Sequence, residues 1–326
     1  MVTVAEAFAP SNIALCKYWG KRNLSINLPV NSSLSISLGN KGTVTKINII
    51  DKNKDQIILN NNLIEEHSNF YKKIINFLNL LRSKSILTQD IYFNIITDSN
   101  LPVAAGLASS ASGFAALVKA LNQLLNWQLS NKELSILARL GSGSASRSLW
   151  HGFVKWHAGT NNDGTDSFAE LLDYKWPELC VGLLILDYQQ KYMGSREAMK
   201  ISVETSPLYK EWPELAIRDL KNLESAIITK DFSLFGSISE ANALAMHAVM
   251  LSARPSIMYS NSDTINNIKK IWELRNNHNL DLYFTQDAGA NLKLLFLYQD
   301  SIKIKTLFPN IEIIRPFEFY GTIDFS

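Results

Sequence analysis

Alternation of apolar and polar positions dominates the first fifty residues. Leu34-Ser35-Ile36-Ser37-Leu38 and Thr43-Val44-Thr45-Lys46-Ile47-Asn48-Ile49 repeat with period two, as half-buried strands do, and Gly39-Asn40-Lys41-Gly42 between them has a turn's composition. An antiparallel sheet edge is expected here. Phe70, Ile74, Ile75, Phe77, Leu78 and Leu81 switch to helical spacing, and a strand follows over residues 91–97. Small residues over 101–113 open into an Ala/Leu-rich helix ending near Asn126. Ser130 and Glu133 form a capping-box pattern ahead of Leu134, Ile136, Leu137 and Leu140, so a second helix starts there. Gly141-Ser142-Gly143-Ser144-Ala145-Ser146-Arg147 interrupts it before the strand-like Gly152-Phe153-Val154-Lys155-Trp156. From Leu183 the pattern predicts one strand, then helices around 195–204, 213–229, 231–250 and 263–277, then paired strands near 282–286 and 292–297. This mixture predicts an α+β fold, divided near residue 180 into domains 1–180 and 181–326.

Composition narrows the function classes. The 326 residues suffice for two domains, and 32 Lys and Arg against 30 Asp and Glu exert no global pull toward nucleic acid or a membrane surface. Any anionic ligand must be held by local charge. Cys16 and Cys180 are far apart, which disfavours a disulfide framework or a zinc site and fits a reducing compartment. The five histidines (67, 151, 157, 247 and 278) show no metal-ligand spacing. The N-terminus lacks a secretory pattern, and no unbroken apolar run approaches the roughly 20 residues of a membrane span, the longest lying near 181–186. A soluble, cytoplasmic protein is expected.

Five stretches carry candidate chemistry. A run of small residues that enters a helix, as over 101–113, lets backbone N–H groups approach a phosphate, aided by the helix dipole. It is neither a Walker A loop nor a dinucleotide fingerprint, and tight packing alone would select the same residues. Gly141-Ser142-Gly143-Ser144-Ala145-Ser146-Arg147 offers hydroxyl and backbone donors beside a planar guanidinium suited to carboxylate or phosphate, although an exposed loop with a structural ion pair has the same composition. Lys17, Lys21 and Arg22, interleaved with Tyr18 and Trp19, form a compact basic cluster at a strand end that a solvated face would also explain. Lys191, Ser195 and Arg196 add basic and hydroxyl groups after a strand. Asp287, ahead of Ala288-Gly289, is an acid in a position that usually serves as a turn or cap.

Taken in order, these stretches resemble the diphosphomevalonate decarboxylase family, within the superfamily of galactokinase, homoserine kinase, mevalonate kinase and phosphomevalonate kinase. The likeness rests on Asn12-Ile13-Ala14 with Lys17-Tyr18-Trp19-Gly20-Lys21-Arg22, Leu28-Pro29-Val30-Asn31-Ser32-Ser33, Ala104-Ala105-Gly106-Leu107-Ala108-Ser109-Ser110, the serine turn through Arg147, Val203-Glu204-Thr205-Ser206-Pro207, and Asp287-Ala288-Gly289. It implies an N-terminal domain like the second domain of ribosomal protein S5 and a ferredoxin-like C-terminal domain, with the active site between them. It implies conversion of mevalonate 5-diphosphate and ATP into isopentenyl diphosphate, ADP, phosphate and CO2, in a homodimer without nucleic-acid or membrane partners. On this resemblance Ala105, Gly106, Leu107, Ala108, Ser109 and Ser110 would cradle ATP, with Mg2+ on its phosphates and within reach of Ser110. Tyr18, Trp19, Gly20 and Lys21 would hold the substrate diphosphate, with Ser142, Gly143, Ser144, Lys191, Ser195 and Arg196 anchoring the remainder. Asp287 would orient or deprotonate the 3-hydroxyl, Lys17 would meet the phosphoryl oxygens, and Arg147, held by Asn12, would grip the carboxylate. Val103, Ala290 and His151 depart from common family residues, and His151 is read as a neutral structural substitution. Three other readings stand beside it: a mevalonate 5-phosphate decarboxylase or mevalonate 3-kinase with the same fold and chemistry but another phosphorylation state, a Ser/Lys hydrolase needing no ATP, and a non-catalytic nucleic-acid module, against which the near-neutral, scattered charge argues.

Overall fold

The computed structural model describes residues 3–101, 109–189 and 191–318. Its N-terminal part runs β1 (Ala5–Cys16), β2 (Lys21–Asn23), β3 (Leu28–Pro29), β4 (Ser33–Ile50), β5 (Gln56–Leu59), β6 (Asn62–Leu63), α1 (Asn69–Ser83), β7 (Tyr92–Ser99), α2 (Ser109–Leu124), α3 (Asn131–Gly141), β8 (Phe153–Trp156) and β9 (Ala169–Leu172). The expected turn at residues 39–42 is absent, because β4 runs unbroken through it. Gly39 takes a left-handed φ of +58°, and a Cβ on Gly42 would fall 2.2 Å from the Ala9 carbonyl oxygen, so these glycines bend one strand instead of ending it. The bend lets β1 follow β4 along one side, with a register shift between Pro10 and Asn12, while β7 and β8 share the other side. Helix α2 lies across β1 and β4, burying Ala111, Ala115, Val118 and Leu121. The predicted capping box forms at Ser130 and Glu133, starting α3.

The C-terminal part runs β10 (Leu179–Leu184), α4 (Ser195–Thr205), α5 (Trp212–Thr229), α6 (Phe232–Leu251), α7 (Ser262–His278), β11 (Tyr283–Gln286), β12 (Leu292–Leu297), α8 (Ser301–Leu307) and β13 (Glu312–Ile314). Its four strands pair antiparallel in the order β11-β12-β10-β13, the ferredoxin-like arrangement, and the whole is the α+β mixture expected. Helix α6, at 20 residues and mean hydropathy 1.2, is long and apolar enough to cross a membrane by length and composition, which an unbroken-run criterion overlooks. It is a core helix here: it packs on α5 and β11, and buried Ser239, Glu240, Asn242 and His247 along it all have polar partners. One apolar cluster crosses between the two parts, joining Ile13, Leu15, Trp19 and Phe153 to Trp176, Trp212, Leu223 and Phe235. That continuity fixes the wall of one domain against the other.

Candidate active site

Strand β1 is buried along its second half and ends at Cys16, so the chain delivers Lys17 into the interior, where it is 1% exposed. Its backbone N–H donates to Asn242 Oδ1 at 2.8 Å, and its carbonyl accepts from Asn31 Nδ2 at 2.9 Å. An ammonium at such depth costs several kcal/mol unless compensated. Compensation comes from two acceptors at 2.7 Å, the Ala14 carbonyl and Asp287 Oδ1.

Asp287 follows β11 at a tight turn closed by Gly289 N–H donating to the Asp287 carbonyl at 2.7 Å. His247 Nε2, from α6, meets the same carbonyl at 3.1 Å, and Lys293 Nζ, from β12, lies 3.4 Å from Asp287 Oδ2. Burial would raise Asp287, but Lys17 and Lys293 outweigh it and hold the carboxyl well below the usual carboxylate range. Burial, partly opposed by Asp287, brings Lys17 down to about 8, and burial brings His247 down to about 4, so that ring is neutral near pH 7. The acid is therefore ionised at all working pH.

Arg147 reaches the same cleft from a 3-10 turn, Gly143–Arg147, that follows α3. Asn12 Nδ2 bonds Ser148 Oγ at 2.7 Å and the Ser144 carbonyl at 3.2 Å, while Asn12 Oδ1 accepts from Arg147 Nε at 3.4 Å and Ser33 Oγ accepts from the guanidinium. Burial brings Arg147 down to about 10, still a cation at neutral pH. The Tyr18 hydroxyl is buried and has no hydrogen-bond partner among the described residues, and its ring stands edge-on to Trp156 with centroids 4.8 Å apart.

These groups surround a cleft of ≈ 730 Å³ between the two sheets. Among the described residues Lys17, Lys21, Lys73, Lys191, Arg147 and Arg196 line it against only Asp287 and Glu197, so it suits a polyanion. Of the other predicted residues, Asn12, Tyr18, Trp19, Ser110, Ser142, Gly143, Ser144 and Ser195 also stand at its walls. Lys21 Nζ donates to Asn27 Oδ1 at 2.6 Å, and Arg196 donates to the Gly141 carbonyl at 2.6 Å, tying α4 to the serine turn. Burial brings Lys21 and Lys191 each down to about 8.

Gly20 differs from expectation: it is not among the lining residues, and its φ of +108° turns the chain beneath Tyr209, whose hydroxyl a Cβ would strike at 1.7 Å. Ala105, Gly106, Leu107 and Ala108, with Val103, lie outside the described residues; Ser109 opens α2, with Ser110 next to it at the cleft. His151 sits by Phe8, their rings stacked at 6.2 Å, and is not among the lining residues. Lys73, His247, Asn242 and Lys293 are additions that the sequence alone did not single out. Among the described residues no group of three or more His, Cys, Asp or Glu gathers to hold a metal ion.

A carboxylate between lysines at the floor of a cationic cleft, facing an arginine fork, defines an enzyme acting on phosphorylated small molecules. Residues 9–169 match the model of the diphosphomevalonate decarboxylase-like N-terminal domain, and 181–314 match that of the mevalonate 5-diphosphate decarboxylase C-terminal domain. The diphosphomevalonate decarboxylase of Candida albicans is 37% identical over 315 residues, covering 93% of this chain and 87% of its own. The mevalonate diphosphate decarboxylase from Staphylococcus aureus superposes with a TM-score of 0.89 at 35% identity, covering 97% and 96% of the chains. That from Enterococcus faecalis gives 0.88 at 37%, covering 98% and 99%. A structure described as MDDEF in complex with MVAPP, AMPPCP and magnesium gives 0.90 at 38%, covering 98% and 99%. This chain belongs to the diphosphomevalonate decarboxylase family.

Proposed function

We infer that the chain catalyses ATP-dependent decarboxylation of mevalonate 5-diphosphate to isopentenyl diphosphate, releasing ADP, phosphate and CO2. The observation that carries this reading is the single cleft in which the Lys17–Asp287 pair, at 2.7 Å, shares a wall-to-wall space with Arg147. A tertiary 3-hydroxyl is a poor nucleophile and a worse leaving group, so it must be aligned with the γ-phosphoryl group while cations neutralise the charge in transfer. Asp287 accepts the hydroxyl's hydrogen bond and Lys17 meets the phosphoryl oxygens. The hydroxyl oxygen takes the γ-phosphoryl group from ATP as ADP leaves, its proton passing out through Asp287, and the C3–O bond then breaks with its electron pair on phosphate. The C1–C2 bonding pair becomes the C2–C3 double bond as CO2 leaves. Arg147, fixed by Asn12 and Ser33, holds the carboxylate in the geometry that favours this loss over capture of C3 by water.

The donors fit the ligands assigned to them. The unpartnered Tyr18 hydroxyl and the Lys21 ammonium suit a diphosphate, with Ser142, Ser144, Lys191, Ser195 and Arg196 around the same cleft. Trp19 shapes the wall and Gly20 supports it from behind. Ser110, in the first turn of α2, suits the ATP phosphates, on which Mg2+ would ride, neutralising charge on the group in transfer. The reading includes a chain divided near residue 180 and a homodimer in the cytoplasm, a location supported by the two buried unpaired thiols, Cys16 and Cys180.

Incubation with ATP and, separately, mevalonate, its 5-phosphate and its 5-diphosphate, following CO2 and ADP, tests the assignment. Release of both products only with the diphosphate is expected. ADP without CO2 would reduce the enzyme to a kinase, and CO2 from the monophosphate would change its substrate.

A further inference from the structure

A single lysine would suffice to pair one half-buried carboxylate, yet Asp287 meets two. Lys17 reaches Oδ1 from the end of β1, and Lys293 approaches Oδ2 from β12, 3.4 Å away. Lys293 is 2% exposed, and its ammonium also donates to the Asn291 carbonyl at 3.3 Å. It stands in register with Thr285 on β11 and Leu183 on β10, so the inner strand of the sheet fixes its stem from both sides. Thr285 Oγ1 in turn donates to the Ala14 carbonyl, the same acceptor that Lys17 Nζ uses. Lys293 is not among the described residues that line the cleft, whereas its ion-pair partner Asp287 is. A buried cation placed against the second oxygen of the site's acid, and contributed by the scaffold instead of the cleft wall, has one evident use.

We propose that Lys293 is a positioning residue, locking the plane of the Asp287 carboxylate and keeping it ionised, so that its exposed edge accepts the substrate hydroxyl in one orientation. Each carboxylate oxygen has two lone-pair directions, so the two ammonium groups leave one acceptor direction free on each. Without Lys293 the carboxylate would be tied at Oδ1 alone and free to rotate about χ2, which is a broad, soft torsion for Asp. The charged and titratable groups facing Asp287 are Lys17 after β1, Arg147 on the 3-10 turn, Lys191 before α4, His247 on α6 and Lys293 on β12. Removing one of these cations leaves the burial that opposes ionisation unchanged, so the Asp287 carboxyl must titrate at higher pH. This inference rests on the decarboxylase reading for its catalytic consequence but not for the titration.

The test is a 13C-carboxyl NMR titration of the unliganded full chain, with the Asp287 signal identified by its loss in D287N. In the wild type that signal should stay ionised to the lowest pH at which the fold survives. In K293M it should titrate at least about one pH unit higher, and K293R should restore the wild-type behaviour. With ATP and mevalonate 5-diphosphate, K293M should lose on the order of tenfold in kcat with KM for ATP nearly unchanged, and the acid limb of its kcat profile should move up with the carboxyl. If K293M does not fold, K293Q, which can keep the bond to Asn291, is read in the same way. An Asp287 titration identical in wild type and the neutral variant would overturn the proposal. A shifted titration in a protein that turns over a different substrate would leave Lys293's role standing and remove the decarboxylase reading instead.

Discussion

At the scale of single residues, the site sets opposite demands on its acid and its cations. Asp287→Ala should bind ATP and mevalonate 5-diphosphate nearly normally yet lose on the order of 10³-fold or more in kcat, because what it removes matters most in the transition state. Isothermal calorimetry beside steady-state kinetics separates the two, and a variant with intact turnover and weakened binding would contradict the orienting role. The cations respond to alkali. Lys17, Lys21 and Lys191 each sit at about 8, burial being the largest cause, so they are charged below that pH and progressively neutral above it. A polyanion in the cleft favours their charged forms and pulls protons onto them. Binding of the diphosphate substrate near pH 8 should therefore take up protons, and near pH 6.5, where the lysines are already charged, it should not. Calorimetry in buffers of different ionisation enthalpy measures this directly, and affinity should fall as pH rises through 8 toward about 9. Equal proton uptake at both pH values would mean these lysines do not face the ligand.

At the scale of elements, the serine turn shows how backbone geometry positions an arginine. Gly143 begins the 3-10 turn that ends at Arg147, and a Cβ there would lie 2.9 Å from Tyr18 Cε1 and 3.0 Å from its hydroxyl. Gly143→Ala should push the Tyr18 ring off its place and raise KM for the diphosphate more than it lowers kcat. An unchanged KM would show that Tyr18 does not contact that substrate. Arg147→Lys should be damaging despite its retained charge, since a point charge cannot replace a fork held at Asn12 and Ser33. Near-wild-type CO2 release would count against the carboxylate contact. Sequence periodicity made elements of this kind legible where the signal was local. Ser130 and Glu133 cap α3 as their spacing predicts, and the helical repeat from Phe70 to Leu81 lies in α1. It failed where a distant partner decides. Gly39 and Gly42 look like a turn, but pairing with β1, β7 and β8 makes them a bend within β4. Lys293, flanked by Leu292 and Leu294, has the pattern of an outward polar position, and only an inner strand beside Asp287 turns it into a buried ion-pair partner.

At the scale of the whole molecule, the two sheets act as one because the site is assembled on their contact. The Asn12 and Lys17 motifs were readable as chemistry in the N-terminal half, and Asp287 in the C-terminal half. The scaffold joining them was not, since Asn242 and Trp212 are ordinary residues until the domains meet, and Asn31, though part of a family motif, shows its role only there. Trp212 Nε1, opening α5, donates to Asn31 Oδ1 at 3.2 Å, while Asn31 Nδ2 holds the Lys17 carbonyl, so a C-terminal indole steadies the lysine of the site through one amide. Around it Ile13, Leu15 and Trp19 pack in the same cluster as Leu223 and Phe235, and parting the domains would expose them all. Unfolding should therefore be a single transition, with near-ultraviolet circular dichroism and loss of nucleotide binding sharing one midpoint. Trp212→Phe keeps most of the apolar contact but strands a buried carbonyl oxygen, at a cost of about 1–3 kcal/mol. The midpoint should fall while the transition stays single, and kcat should fall with it because Lys17 loses part of its anchor. Two resolved transitions in the wild type would mean that the interdomain cluster does not couple the halves. A Trp212→Phe protein of lowered midpoint but undiminished kcat would confine the indole–amide bond to stability and show that Ala14, Asn242 and Asp287 hold Lys17 well enough without it.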